Sequence, residues 1–247
     1  MRRILEVQGL SGGYVPNKPV IRDINFHVDS GEIVGLIGLN GAGKSTTIKH
    51  VLGLMEPMTG SAKIAGKTFT EEPDEYRGCL TYIPETPILY EEMTLWEHLE
   101  MTALAYGLQE KTFLQRVRPL LEEFRMENKI KWFPSEFSKG MKQKVMILSA
   151  LLVEPDLYVV DEPFVGLDPI GIQSFLDYMI RFRDNGAGIL MSTHILSTAE
   201  KYCDRFLIMH NGQMVLRGTL KQLQEETGMS GAGLDDIYLY AAKGGKA

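Results

Sequence analysis

Eight consecutive residues, Gly38-Leu39-Asn40-Gly41-Ala42-Gly43-Lys44-Ser45, spell a complete phosphate-binding loop. An apolar run, Ile33-Val34-Gly35-Leu36-Ile37, precedes it, and a helix-compatible segment beginning at Thr46 follows. Buried strand, glycine loop and helix start, in that order, form the context the motif requires. The glycines let backbone N–H groups turn inward around a β-phosphate, where the helix N-terminus adds partial positive charge. In such a loop Lys44 reaches the β- and γ-phosphates, and Thr46 heads the helix behind them. The Ser45 hydroxyl is placed to ligate Mg²⁺. The spacing therefore predicts a protein that binds a nucleoside triphosphate.

The rest of the chain is read around that loop. Strand-like pieces at Ile4–Leu10, Val20–Val28 and Ile33–Ile37 precede the phosphate-loop helix, which is expected to run to about Leu54. A hairpin-like piece at Ser61–Lys67 and a strand at Leu80–Ile83 come next. From Thr94 to Lys131 apolar residues recur at helical spacing, among them Leu95, Leu99, Leu104, Phe113, Val117 and Leu121. This predicts an inserted helical subdomain at about 88–155, with Pro119 starting or kinking a helix. A further helix is expected after Phe137. Strands at Leu157–Asp161, Gly188–Ser192, Arg205–Met209 and Met214–Arg217 then alternate with helices at Ile170–Arg183 and from Ser197. Such alternation implies an α/β domain with a largely parallel core sheet. The ATPase-type domain is expected over residues 1–230, and residues 231–247 read as a short helix at Leu234–Ala242 with a frayed end.

Leu157-Tyr158-Val159-Val160 leads into two adjacent carboxylates, Asp161 and Glu162. Neighbours on a strand point to opposite faces, so the pair is expected to divide two tasks. Asp161 is the candidate Mg²⁺ ligand, since hard cations prefer carboxylate oxygen. Glu162 is the candidate base for an attacking water. A helix N-cap pair before Pro163 is the simpler use of the same residues.

Five segments in this order resemble the nucleotide-binding subunit of ABC transporters. They are the phosphate loop, Phe137-Ser138-Lys139-Gly140-Met141, the Asp161-Glu162 pair, Gly166-Leu167-Asp168 and Ser192-Thr193-His194. The likeness runs from Val7 to about Leu223. It implies a phosphate-loop NTPase core with a mixed, largely parallel sheet, an N-terminal antiparallel β subdomain and an inserted α-helical subdomain. It also implies that Tyr14 stacks on adenine and that His194 contacts the γ-phosphate and positions the water. Ser138, Lys139, Gly140 and Met141 would act on a second copy's nucleotide across a head-to-tail dimer, with Asp168 at the seam. A helix N-cap is the alternative for Asp168 and for the Ser/Gly segment. The family's usual signature is Leu-Ser-Gly-Gly-Gln, from which Phe137, Lys139 and Met141 depart. Glu85 stands where the family usually carries Gln, and it is expected to reach Mg²⁺ or the water. Glu85, together with Ser-Lys-Gly-Met-Lys-Gln-Lys at Ser138 to Lys144, resembles the branch of Ecs-type ATP-binding subunits of Gram-positive bacteria. The partner so implied is a separate polytopic membrane subunit, and the role is export, with peptides as cargo.

Charge and hydropathy are consistent with that reading. The net charge of −6 disfavours extended nucleic-acid contact, which needs a basic face. The longest strongly apolar stretch, Val145–Val153, is too short to span a bilayer. The expected location is thus the cytoplasmic face of the membrane, reached through the membrane subunit. Cys79 and Cys203, far apart and without metal-like spacing, read as small buried hydrophobes of a reducing compartment. The alternative is a soluble ABC-type ATPase acting on the ribosome, nucleic acid or iron–sulfur assembly. Repair-type members need a long coiled-coil insertion and translation-type members a second domain, and neither shows here.

Overall fold

A computed structural model describes residues 2–244 of the chain; the expected frayed end beyond them lies outside the described residues. The strands are β1 (Arg3–Gly12), β2 (Ile21–Asp29), β3 (Ile33–Ile37), β4 (Thr59–Ile64), β5 (Lys67–Thr68) and β6 (Leu80–Ile83). They continue with β7 (Leu157–Asp161), β8 (Gly188–Thr193), β9 (Arg205–His210) and β10 (Gln213–Gly218). Helix α1 (Lys44–Val51) follows the phosphate loop, and α2 (Pro73–Gly78) precedes β6. The middle of the chain holds α3 (Leu95–Ala105), α4 (Glu110–Glu123) and α5 (Lys139–Val153). Helices α6 (Pro169–Asp184), α7 (Leu196–Tyr202), α8 (Leu220–Thr227) and α9 (Leu234–Ala242) complete it. Pro119 lies inside α4 rather than at its start.

Two sheets form. The N-terminal sheet has order β2-β1-β4-β5 and is antiparallel throughout. The second has order β10-β9-β3-β8-β7-β6, parallel except for the β9–β10 hairpin. Every residue of β3, β7 and β8 is buried, as expected for parallel strands covered on both faces. Period-two alternation then assigns each side chain to one of two cores. Val34, Leu36, Val159, Leu190, Leu207 and Met209 pack with the antiparallel sheet and α1. Ile33, Ile37, Tyr158, Val160, Ile189, Met191, Phe206 and Ile208 face the helical layer. The α/β architecture with its two unlike sheets and helical insertion agrees with the expectation from sequence.

The expectation of two buried cysteines is met by Cys203 and corrected at Cys79, which is only half-buried. Cys203 is buried, and burial pushes its thiol up to about 12, while burial likewise raises the half-buried Cys79. Both are free thiols.

Helix α5 meets the turn before α6 at a backbone-to-backbone approach. A Cβ on Gly140 would stand 2.1 Å from the Gly166 carbonyl oxygen, and Gly166 itself has φ +84°. Alanine is normally better than glycine inside a helix by about 1 kcal/mol. At Gly140 that gain is outweighed by overpacking against backbone, so Gly140→Ala is expected to destabilise by about 1–3 kcal/mol. Gly78 closes α2 with no atom within 4 Å of its would-be Cβ. Gly78→Ala is expected to stabilise by up to about 1 kcal/mol. Urea unfolding of the two variants reads both signs; a gain in both would remove the Gly140–Gly166 approach as a constraint.

Candidate functional site

Strand order explains why distant motifs meet. β3, β8, β7 and β6 are parallel neighbours, so their C-terminal ends lie side by side along one edge. The register pairs Ile37 with Thr193, Asp161 with Ser192, and Ile83 with Val160. The phosphate loop leaves β3, Asp161-Glu162 ends β7, His194 follows β8 and Glu85 follows β6. Ligands of open α/β sheets bind at this edge.

The loop turns on Gly41 (φ +83°) and Gly43 (φ +109°). A Cβ on Gly43 would stand 2.8 Å from Ile21 Cγ2, and one on Gly38 2.8 Å from the Met209 carbonyl oxygen. Ala42 and Thr46 are buried, while Leu39, Asn40, Gly41 and Ser45 face outward. The Lys44 side chain is buried and donates to the Gly38 carbonyl at 2.7 Å. Its Nζ also lies 3.6 Å from Glu162 Oε1.

Strand β7 ends at Asp161, so the expected division of Asp161 and Glu162 across two strand faces is corrected. Glu162 takes the left-handed conformation, φ +46°, which is uncommon for a non-glycine residue. Its backbone N–H is held by the Ser192 carbonyl at 3.1 Å. That kink, and not strand alternation, sets the direction of the Glu162 carboxylate. Oε2 accepts from His194 Nδ1 at 2.8 Å and from the His194 backbone N–H at 3.3 Å. Oε1 is buried with the Lys44 ammonium as its neighbour and has no hydrogen bond of its own. Asp161 Oδ1 accepts from the buried Ser192 hydroxyl at 2.6 Å.

The remaining candidates lie further out. Tyr14 is 59% exposed, and its hydroxyl accepts from Thr46 Oγ1 at 3.5 Å and Lys49 Nζ at 3.3 Å. The Thr46 hydrogen bond, with help from Lys49, holds that phenol below its usual range. An exposed ring tethered to the first turn of α1 can offer its face to a base. Glu85 is exposed and has no hydrogen bond or ion pair among the described residues. Its charge is felt nearby: burial first, then Asp161 and Glu85, raise the Tyr82 phenol. The other histidines are structural. His98 is bonded through both ring nitrogens, to the Thr94 carbonyl and the Tyr90 N–H, and His50 Nδ1 meets the Met55 carbonyl.

Ser138 caps α5, its hydroxyl accepting from the Met141 N–H at 3.3 Å. Ser138 and Lys139 are exposed, and Met141 packs partly against the core. Asp168 caps α6, accepting from the Gly171 N–H at 2.7 Å, and pairs with Lys144 at 3.2 Å. The Gly171 bond and Lys144 hold its carboxyl below the usual range. The capping alternative for both segments is therefore real within a single chain.

Three contributors hold the site through contacts that residue spacing alone does not announce. Ser192 orients Asp161. Gln143, fully buried on α5, donates to the Pro84 carbonyl at 3.1 Å and so ties the Glu85 loop to the helices. Tyr238 accepts from the Leu39 N–H at 3.0 Å across 199 positions. The apolar side chains that follow Glu85 divide between surface and core. Tyr90 is exposed and Met93 half-buried, but Leu95 is fully buried and Trp96 packs edge-on against Phe113.

Mg²⁺ fits the donor set. Ser45 supplies an exposed hydroxyl and Asp161 a carboxylate with one oxygen engaged by Ser192. Among the described residues no cluster of three or more acidic, His or Cys side chains could form a complete metal cage.

Comparisons with known proteins agree with this geometry. The family model described as ABC transporter matches residues 21–165, more than half of the chain. The ABC-type transporter ATP-binding protein EcsA of Bacillus subtilis is 59% identical over 240 residues, 97% of either chain. The ABC transporter ATP-binding protein YthP of the same organism is 45% identical over 244 residues, 99% of each. A solved structure described as the ATP binding subunit of an ABC transporter superposes with TM-score 0.94 at 55% identity. That superposition covers 96% of this chain and 99% of the other. With its phosphate loop, buried carboxylates and histidine gathered on one sheet edge, the chain belongs to the ABC transporter family as an ATP-binding, ATP-hydrolysing subunit.

Proposed function

We propose that two copies of the chain close head to tail on ATP and Mg²⁺, and that this closure drives a separate polytopic membrane subunit exporting peptides. The observation that carries the catalytic half of the reading is the meeting of Lys44, Glu162 and His194 at the sheet edge. Lys44 brings positive charge to the β- and γ-phosphates, where it offsets the charge that develops on transfer. Glu162 accepts a proton from the attacking water, and His194 fixes Oε2 so that the carboxylate faces it. Mg²⁺, held by Ser45 and Asp161 with Glu85 beside them, would supply charge neutralisation at the phosphates.

What each copy leaves outward supports the dimer reading. Asn40, Gly41 and Ser45 are exposed on the phosphate loop, and Ser138, Lys139 and Asp168 on the α5 and α6 starts. A second copy lets the α5 start of one chain, with Gly140 and Met141 behind it, face the nucleotide of the other. The moving part is the helical subdomain at about 88–155 within an ATPase domain of residues 1–230, and residues 231–247 form an appended C-terminal segment. No helix among the described residues is long and apolar enough to cross a membrane. Placement at the cytoplasmic face therefore rests on the membrane subunit. The Ecs-like signature, Ser138 to Lys144, and Glu85 support export and peptide cargo. Relatives that are transporter subunits favour this over a soluble ATPase acting on ribosome or nucleic acid.

Replacing Glu162 by Gln removes the base but keeps the shape. Turnover is expected to fall about 10²- to 10⁴-fold while ATP still binds, and size exclusion with ATP shows a dimer. Undiminished hydrolysis in this variant would overturn the assignment of the base.

Tyr14→Ala is expected to weaken ATP binding about tenfold, the loss typical of one base–aromatic stack, and Tyr14→Trp to restore it. Equal affinity in all three proteins, measured by titration calorimetry, would take Tyr14 out of the site.

The transporter reading is tested by purifying the tagged chain from gently solubilised membranes. A stoichiometric polytopic protein is expected with it, and ATP-dependent peptide uptake into inside-out vesicles holding that pair. Recovery without a membrane protein would reject the partner, and uptake only into right-side-out vesicles would reverse the direction.

A further inference from the structure

Leu39, the second residue of the phosphate loop, turns its side chain to solvent yet has its backbone N–H bonded to the Tyr238 hydroxyl at 3.0 Å. Tyr238 is 5% exposed and sits on α9, within the C-terminal segment that the catalytic motifs do not use. Helix α9 is itself firmly placed. Leu234, Ile237, Tyr238 and Ala241 form one buried stripe at helical spacing, part of the core on the helical face of the sheet. The Leu234 N–H, at the start of α9, donates to Glu200 Oε2 at 2.7 Å. Glu200 belongs to α7, which begins two residues after His194. Helix α9 thus touches both limbs of the site, the phosphate loop through Tyr238 and the helix behind His194 through Glu200.

The loop has need of such a hold. Gly41 and Gly43 both stand at positive φ, and glycine loses more conformational freedom on ordering than any other residue. At the far side of the loop, the Ala42 carbonyl is tied to the Gly212 N–H at 3.0 Å. On the near side, the Tyr238 hydroxyl holds the Leu39 amide.

We propose that Tyr238 is a positioning residue for ATP binding: α9 holds the Leu39 end of the phosphate loop in its binding shape through one hydrogen bond. Without that bond the loop must be ordered by the incoming nucleotide, and the free energy of ordering is subtracted from affinity. Tyr238 touches none of Lys44, Glu162 or His194 by hydrogen bond, so the chemical step is left alone. The signature is a rise in KM with kcat kept, which general loss of folded protein does not produce.

The test uses the full chain with Tyr238→Phe, which keeps the buried ring and removes only the hydroxyl. Hydrogen–deuterium exchange at the Leu39 amide is expected to accelerate about tenfold and KM for ATP to rise about fivefold, the scale of one neutral hydrogen bond, with kcat within about twofold of wild type. Unchanged exchange and KM overturn the proposal. So does a fall in melting temperature and kcat with KM unchanged, which reduces Tyr238 to core packing. Where Tyr238→Phe folds poorly, Glu200→Ala loosens the start of α9 with the tyrosine intact. It is expected to move KM the same way, and an unchanged KM there also overturns the proposal.

Discussion

A carboxylate buried to 7% exposure beside an ammonium buried to 6% is the constraint around which this chain is organised. Neither Glu162 nor Lys44 tolerates removal from water alone, since an unpaired buried charge costs several kcal/mol. Each needs the other, and at 3.6 Å the pair is close enough for attraction without a shared hydrogen bond. That gap matters for the proposed mechanism. Lys44 spends its short hydrogen bond on the Gly38 carbonyl, and Glu162 Oε1 has none, so both charges remain available to a phosphate and a water. The strained φ of Glu162 is kept by the Ser192 carbonyl and by two bonds from His194, an arrangement in which surrounding contacts over-determine an unfavourable backbone. Strand register supplies these contacts. A slip of one residue between β7 and β8 would exchange the faces of Asp161 and Ser192 and dissolve the site.

Much of this was legible in the chain because phosphate chemistry needs fixed residue types at fixed spacing. The bounds of β3, β6, β7 and α9 agree between sequence and structure, since their apolar runs are bounded by glycine, proline or charge. What was not legible has physical causes. Helix α2 is six residues long, too short for a helical period to register. Helix α8 is announced only by Thr219 and Gln222, whose capping box marks its start. The left-handed turn at Glu162 is imposed by neighbours on β8, and no local preference of glutamate announces it. Leu95 and Trp96 are both apolar at the start of α3, and periodicity alone does not say which neighbour covers each of them. Gln143 and Tyr238 act across 59 and 199 positions, where a single sequence carries no pairing information.

The departures from the usual signature become intelligible once the local packing is known. Phe137 is an apolar residue in an apolar place, buried and stacked near Trp132 at 6.4 Å, so an aromatic ring there substitutes burial for burial. Met141 is half-buried, and its flexible thioether fits an irregular boundary. Lys139 points into solvent, where a charge is easily borne. Ser138 and Gly140 are different. The hydroxyl of Ser138 satisfies one of the first amides of α5, and an apolar residue would leave that donor open. Gly140 lets α5 approach the Gly166 carbonyl more closely than any Cβ allows. Through that approach the start of α5 is fixed against the segment that runs from Glu162 to the Asp168 cap. Gly140 thus joins the α5 start to the turn that follows Glu162 within one chain, before any second copy is considered. Under the proposed function, the face that would meet a neighbour and the segment that carries Glu162 are thus in backbone contact.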